Sequence, residues 1–133
     1  MIVVDASVIV KLIKKEEGSD RATLLKENHI KGKEKIAVPI LLFYEVANAL
    51  LYAKGLSEKE IFNFLEILYE LDFEIIELGV KDIIKAAILG KRKGITVYDA
   101  SYLILTQKLN TIFITADLKL FKKVKDLNFV KLL

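Results

Sequence analysis

Short runs of β-branched residues alternate along the chain with apolar positions spaced three and four apart, and that alternation outlines the fold. Residues 2–4 (IVV) make the first run, closed by Asp5, and Val8, Ile9, Leu12 and Ile13 behind it keep helical spacing. Ser19 is placed to cap a helix reaching about residue 30, and a polar K-G-K-E-K loop at 31–35 leads into a short strand at 36–38 (IAV). Pro39 stands where a helix can start. Segment 40–54 (ILLFYEVANALLYAK) reads as a strong helix ended by Gly55, and Ser57 with Glu60 forms a capping-box pattern that opens a helix over 58–71. The pattern then predicts a strand at 73–78, a helix at about 80–92 ending near Gly94, and a helix at about 99–109 opened by Asp99. A strand at 111–115, a short helix near 118–126 and a last strand at 129–133 complete it.

Strands that are continuously apolar, separated by helices, predict a parallel sheet covered on both faces, a three-layer α/β/α sandwich. No repeat, linker or low-complexity stretch divides the chain, and 133 residues, 53% of them hydrophobic, suit one domain over 1–133. Open sheets of this kind bind ligands beyond the carboxyl ends of their strands, near the point where strand order reverses. Chemistry is therefore expected at that edge.

Composition narrows the chemistry. Without cysteine there are no disulfides and no thiolate zinc sites, and a single histidine, His29, cannot build an imidazole-rich centre, so any metal must sit on oxygen. His29 lies in a polar K-E-N-H-I stretch and is expected to be exposed. Apolar runs are short and broken by charges, and no leader pattern is present, which predicts a soluble, cytoplasmic protein. The net charge of +3 permits an acidic partner without requiring one.

Asp5 just past the first strand and Asp117 just past the strand TIFIT fall on the same edge of the predicted sheet, and Asp99 lies at another element boundary. Each has a plain alternative as a helix cap, worth about 1 kcal/mol. Glu45 does not, because it sits in mid-helix, where it and Asn48 are the strongly polar residues of 40–53 and share one face. Four converging carboxylates would repel one another unless a cation neutralised them, and oxygen-only ligation is the preference of Mg²⁺ or Mn²⁺.

With these residues in view, the chain resembles the PIN-domain nucleases, particularly the VapC-type toxins of prokaryotic toxin–antitoxin pairs. The resemblance rests on I-V-V-D-A-S, P-I-L-L-F-Y-E-V-A-N-A-L, V-Y-D-A-S-Y-L-I-L-T and I-T-A-D-L-K-L-F, in that order over nearly the whole chain. It implies catalytic and metal-binding roles for Asp5, Glu45, Asp99 and Asp117, with Ser7, Asn48 and Thr115 in support. It further implies a Mg²⁺- or Mn²⁺-dependent endoribonuclease that uses water to cleave RNA and leaves a 5′-phosphate. Asn110 departs from the glycine common before the fourth motif's strand, but asparagine tolerates the left-handed turn. Ser7 and Thr115 have a local alternative as turn or helix-start hydroxyls.

Basic residues flank each acidic motif: Lys11, Lys14 and Lys15, then Lys91, Arg92 and Lys93, then Lys119, Lys122 and Lys123. They suit an approaching phosphate backbone, although Lys91 to Lys93 equally complement a helix C-terminus. Tyr98 and Tyr102 flank Asp99 as candidate base-stacking or core aromatics. Helix 58–71 carries more large apolar side chains than one buried stripe needs, which predicts a homodimer or a docked antitoxin segment. Two other readings stay open: a magnesium-dependent phosphoryl-transfer domain of receiver or aspartyl-phosphatase type, and a non-catalytic module binding RNA or protein. Against the first, the opening strand ends in one aspartate with no adjacent acid. Neither G-x-G-x-x-G nor G-x-x-x-x-G-K-S/T occurs.

Overall fold

The computed structural model describes residues 1–13 and 15–133. Lys14, grouped above with Lys11 and Lys15, lies outside the described residues. In chain order the elements are β1 (Ile2–Val4), α1 (Ala6–Val10), α2 (Ser19–Ile30), β2 (Ile36–Val38), α3 (Leu41–Tyr52) and α4 (Glu58–Glu70). They continue as β3 (Glu74–Ile75), α5 (Val80–Lys93), α6 (Val97–Leu109), β4 (Ile112–Thr115), α7 (Leu118–Val124) and β5 (Val130–Leu132). The strands form one sheet in the order β3-β2-β1-β4-β5, with every pairing parallel. Right-handed crossovers then put α1 to α4 on one face and α5 to α7 on the other. The direction of winding reverses between β1 and β4, so the expected α/β/α sandwich forms with its switch point there.

The central strands are apolar because both of their faces are covered. Val3, Val4, Ala37, Val38 and Phe113 are fully buried, as are Leu42 and Val46 on α3, which with Leu50 repeat every fourth residue. Edge position explains the main shortfall. The strand expected at 73–78 pairs over two residues only, because β3 has a neighbour on one side and both of its residues face solvent.

Two local signals behaved as the sequence predicts. Ser57 and Glu60 close a reciprocal capping box on α4, and Asn110 ends α6 in the left-handed region at φ 50°. Gly90 serves a need the sequence did not reveal: a β-carbon there would lie 2.9 Å from the Ile95 carbonyl, so its absence lets the α5–α6 turn fold back onto α5. His29 corrects an expectation, being buried rather than exposed. Its Nδ1 accepts from Ile36 N–H at 3.0 Å, which leaves Nε2 to donate to the Leu71 carbonyl at 2.8 Å, and its ring meets Phe73 edge-on. One imidazole thereby ties the end of α2 to the start of β2 and the end of α4.

Candidate active site

β1 and β4 end side by side, and each delivers an acid to the switch point. Asp5 follows β1 and caps α1 by accepting from Ser7 N–H at 3.1 Å, and Asp117 follows β4 and caps α7 by accepting from Leu120 N–H at 3.0 Å. The capping alternative is thus realised at both. Asp99 is different. Thr96, not Asp99, caps α6, which begins at Val97 two residues earlier than expected, and Asp99 N–H donates to the Thr96 hydroxyl at 3.0 Å. Asp99 stands in the first helical turn with its carboxylate left for other work.

Burial makes Asp5 more than a cap. At 5% exposure its carboxylate accepts from the hydroxyl of Ser7 on one oxygen and from Thr115 Oγ1, at 2.6 Å, on the other. Those hydroxyls are themselves held by the backbone after β4. Ala116 N–H donates to Ser7 Oγ at 2.8 Å and Asp117 N–H to Thr115 Oγ1 at 3.1 Å. Ser7 and Thr115 therefore knit the ends of β1 and β4 around one carboxylate, going beyond their local hydroxyl alternative. Burial pushes the Asp5 carboxyl up to about 6, against the lowering effect of the Ser7 and Thr115 hydrogen bonds, and the nearby Asp99 charge adds to the rise.

Glu45 comes from α3 on the other side of the cluster. Tyr102 of α6 donates its hydroxyl to Glu45 Oε1 at 2.6 Å, which holds one carboxylate oxygen in place across 57 residues of sequence. Sequence reasoning had Tyr102 as a core or base-stacking aromatic. It is fully buried and stacked on Phe113, so stacking on a base is closed to it, while its hydroxyl serves the site. Glu45 is raised by burial first, with the Tyr102 hydrogen bond opposing and the Asp99 charge reinforcing. Asp99 is raised by burial and then by Asp117, with the Thr96 hydroxyl and the Lys123 charge opposing.

Asp99 is thus the hub: it is close enough to feel, or be felt by, each of the other three carboxylates. Two recesses open from the cluster. One, of about 330 Å³, is lined by Thr96, Asp99, Asp117, Lys119 and Lys123. The other, of about 510 Å³, lies along α3 and is lined by Tyr44, Glu45, Asn48 and the exposed Tyr98. Asn48 shares the Glu45 face, as its spacing of three residues predicted.

The donors are all carboxylate and hydroxyl oxygens, which is the chemistry of a hard divalent cation. Among the described residues no three acids are drawn together closely enough to hold an ion by themselves. Mg²⁺ fits such a site, since it usually takes one or two carboxylates and completes its shell with water and phosphate oxygens. Of the flanking lysines, Lys11 is turned to the Glu17 carbonyl at 2.7 Å and Lys93 is paired with Asp126, whereas Lys119 and Lys123 line the smaller recess.

The parallel sheet, its reversal between β1 and β4 and the acids over that reversal define the class: a doubly wound α/β domain with an acidic centre at its switch point. The chain belongs to the PIN-domain family, whose profile matches residues 2–127. Ribonuclease VapC3 of Pyrobaculum aerophilum is 35% identical over 126 residues, covering 92% of this chain and 93% of that protein. Among solved structures, VapBC2 of Rickettsia felis, bound to a DNA fragment from its promoter, superposes with a TM-score of 0.71 at 20% identity. That match covers 100% of this chain and 99% of the other. A toxin–antitoxin complex from Klebsiella pneumoniae gives a TM-score of 0.69 at 16% identity, covering 98% and 96%. Among the described residues no helix is long and apolar enough to cross a membrane.

Proposed function

We propose that this protein is a divalent-metal-dependent endoribonuclease, the toxin of a toxin–antitoxin pair, acting through Asp5, Glu45, Asp99 and Asp117. The observation that carries the reading is electrostatic: three of these carboxylates are raised in pKa, with Asp99 in contact with the fields of all the others. A cap needs neither the burial nor the company. Burial is the larger part of that rise and mutual repulsion the smaller; keeping such carboxylates charged is costly unless a cation neutralises them, and that cost is characteristic of functional sites. Kinship with a curated ribonuclease over nearly the whole chain supports RNA as substrate, and the fold shared with a toxin–antitoxin complex supports an antitoxin partner.

Within this reading Mg²⁺ or Mn²⁺ would sit among Asp5, Glu45, Asp99 and Asp117, with one or two of these carboxylates as direct ligands and the others acting through bound water. An ion bound there would lower the pKa of water and steady charge on the phosphoryl group. The chain's own residues do the positioning. Ser7 and Thr115 fix Asp5 by its two oxygens, Tyr102 fixes Glu45 by one and leaves the other free, and Asn48 lines the recess beside Glu45. Water attacks the phosphodiester in line, the P–O3′ bond breaks, and the products are a 5′-phosphate and a 3′-hydroxyl that takes up a proton. The reading also includes a homodimer through α4, where Phe62, Ile67 and Tyr69 remain 59–73% exposed.

Incubating a mixed set of RNAs with purified protein tests the proposal. Cleavage that appears with Mn²⁺ and stops with EDTA supports it, and a small gene adjoining this one whose product suppresses cleavage supports the toxin role. Cleavage that continues in EDTA contradicts it.

A further inference from the structure

We propose that the recess beside Asp99 and Asp117 is a phosphate subsite, in which Lys119 and Lys123 hold an RNA backbone phosphate next to the one being cleaved. This rests on the ribonuclease reading and specifies how the site takes its substrate. The recess is lined by groups of both signs, Asp99 and Asp117 together with Lys119 and Lys123, in a volume of about 330 Å³. The two lysines are four residues apart on α7, so both side chains leave the same face of that helix.

Lys123 is held rather than free. Its Nζ donates to the Gly94 carbonyl at 2.9 Å, where α5 ends in the left-handed region at φ 67°. A second link runs the opposite way, from Lys93 near the end of α5 to Asp126 just beyond α7. These crossed links fix α7 against the end of α5 and set the Lys123 charge where Asp99 feels it. An ammonium has three donors, and the Gly94 carbonyl takes one, leaving two for an incoming anion. Lys119 needs no such tether to reach the same recess.

A phosphodiester suits these walls. Its charge meets the lysines, while the neighbouring phosphate lies at the acidic centre, where the proposed cation neutralises the carboxylates. The competing account is that Lys123 only staples α7 to the Gly94 carbonyl, so that its loss changes stability and nothing else.

Salt dependence of RNA binding separates the two. Fluorescence anisotropy of a labelled, mixed-sequence single-stranded RNA is measured with a fixed concentration of Ca²⁺, a hard cation that neutralises the carboxylates in place of Mn²⁺, from ~50 to ~300 mM KCl, the range over which phosphate contacts show their salt slope. The proteins are wild type, Lys119→Met, Lys123→Met, the double variant and, as a control on α4, Lys59→Met. Each phosphate held on a single strand contributes a slope of about 0.7 in log affinity against log salt, so the double variant, which gives up one phosphate, should lose about 0.7 and Lys59→Met nothing. With Mn²⁺ the double variant should raise KM about tenfold or more while kcat changes by less than about threefold, as expected when ground-state holding is lost. Lys123→Arg should keep the wild-type slope.

Equal slopes in wild type and the double variant, with wild type still cleaving RNA, overturn the subsite and leave the nuclease standing. A loss of thermal stability in Lys123→Met with an unchanged slope does the same and favours the staple. If wild type neither binds nor cleaves any RNA in Mn²⁺, the ribonuclease reading falls and the subsite with it.

Discussion

Replacing Asp5 with asparagine should make the metal-free protein more stable, although it removes a residue assigned to the site. The Asp5 carboxyl is pushed from its ordinary 3.8 up to about 6 by burial. Between those two pH values the folded state binds more protons than the unfolded state, so stability falls as pH rises from about 4 to about 6. Above that window the full gap applies, about 2 pH units or ~3 kcal/mol. The substituted amide has no charge to bury, and loss of the carboxylate also relieves Asp99. Against this gain, an amide matches the two hydroxyl donors less well than a carboxylate; the Thr115 or Ser7 hydroxyl must turn to accept, at ~1 kcal/mol. The net expectation is ~2 kcal/mol in favour of Asp5→Asn at about pH 7.5 in EDTA, or ~6 °C in Tm for a domain of this size. At about pH 4 the advantage should vanish, because the wild-type carboxyl is then protonated when folded. Saturating Mn²⁺ should reverse the order, since binding to the native state stabilises wild type alone. Thermal or urea melts at these two pH values, with EDTA and with Mn²⁺, measure all four cases. An Asp5→Asn protein less stable than wild type at the higher pH in EDTA, or a difference that ignores pH, would refute the reasoning.

Tyr102→Phe keeps the ring on Phe113 but frees Glu45, and should weaken Mn²⁺ binding about tenfold by calorimetry; unchanged affinity would remove Tyr102 from the site. Gly90→Ala pushes a methyl group to 2.9 Å from the Ile95 carbonyl and should cost ~1–3 kcal/mol in a urea melt, whereas a neutral result would mean that the α5–α6 turn can shift. Phe62→Glu should turn a homodimer into a monomer by light scattering, and a wild-type protein already monomeric at high concentration would end that expectation.

Most of the scaffold was legible because parallel strands buried on both faces leave a plain mark. IVV, IAV and IFIT are apolar runs with no polar alternation, and each is a strand within a residue of its expected bounds. The four acids were legible by their place at strand and helix ends and, for Glu45, by its isolation in an apolar helix. What escaped depended on distant partners. His29 is buried by groups 7 and 42 residues away, and nothing in K-E-N-H-I announces Ile36 or Leu71. Tyr102 looks apolar in its own helix because its hydroxyl is satisfied by α3. The start of α6 was a different kind of miss. T-V-Y-D carries the Thr-x-x-Asp signature of a helix start, which points to Thr96 as the cap and so releases Asp99 from that role.

Asp99→Asn provides the most direct test, since Asp99 touches every other carboxylate by its field and caps nothing. Asparagine keeps the shape, and the Thr96 cap is unaffected, so the fold and its melting temperature should be retained. Cleavage of a labelled RNA that wild type cuts with Mn²⁺ should fall by ~10²–10³ or more, the scale of one essential electrostatic contact. Loss of cleavage with an intact melt is the result predicted; full activity in Asp99→Asn would contradict the assignment of this acidic cluster as a metal-dependent nuclease site.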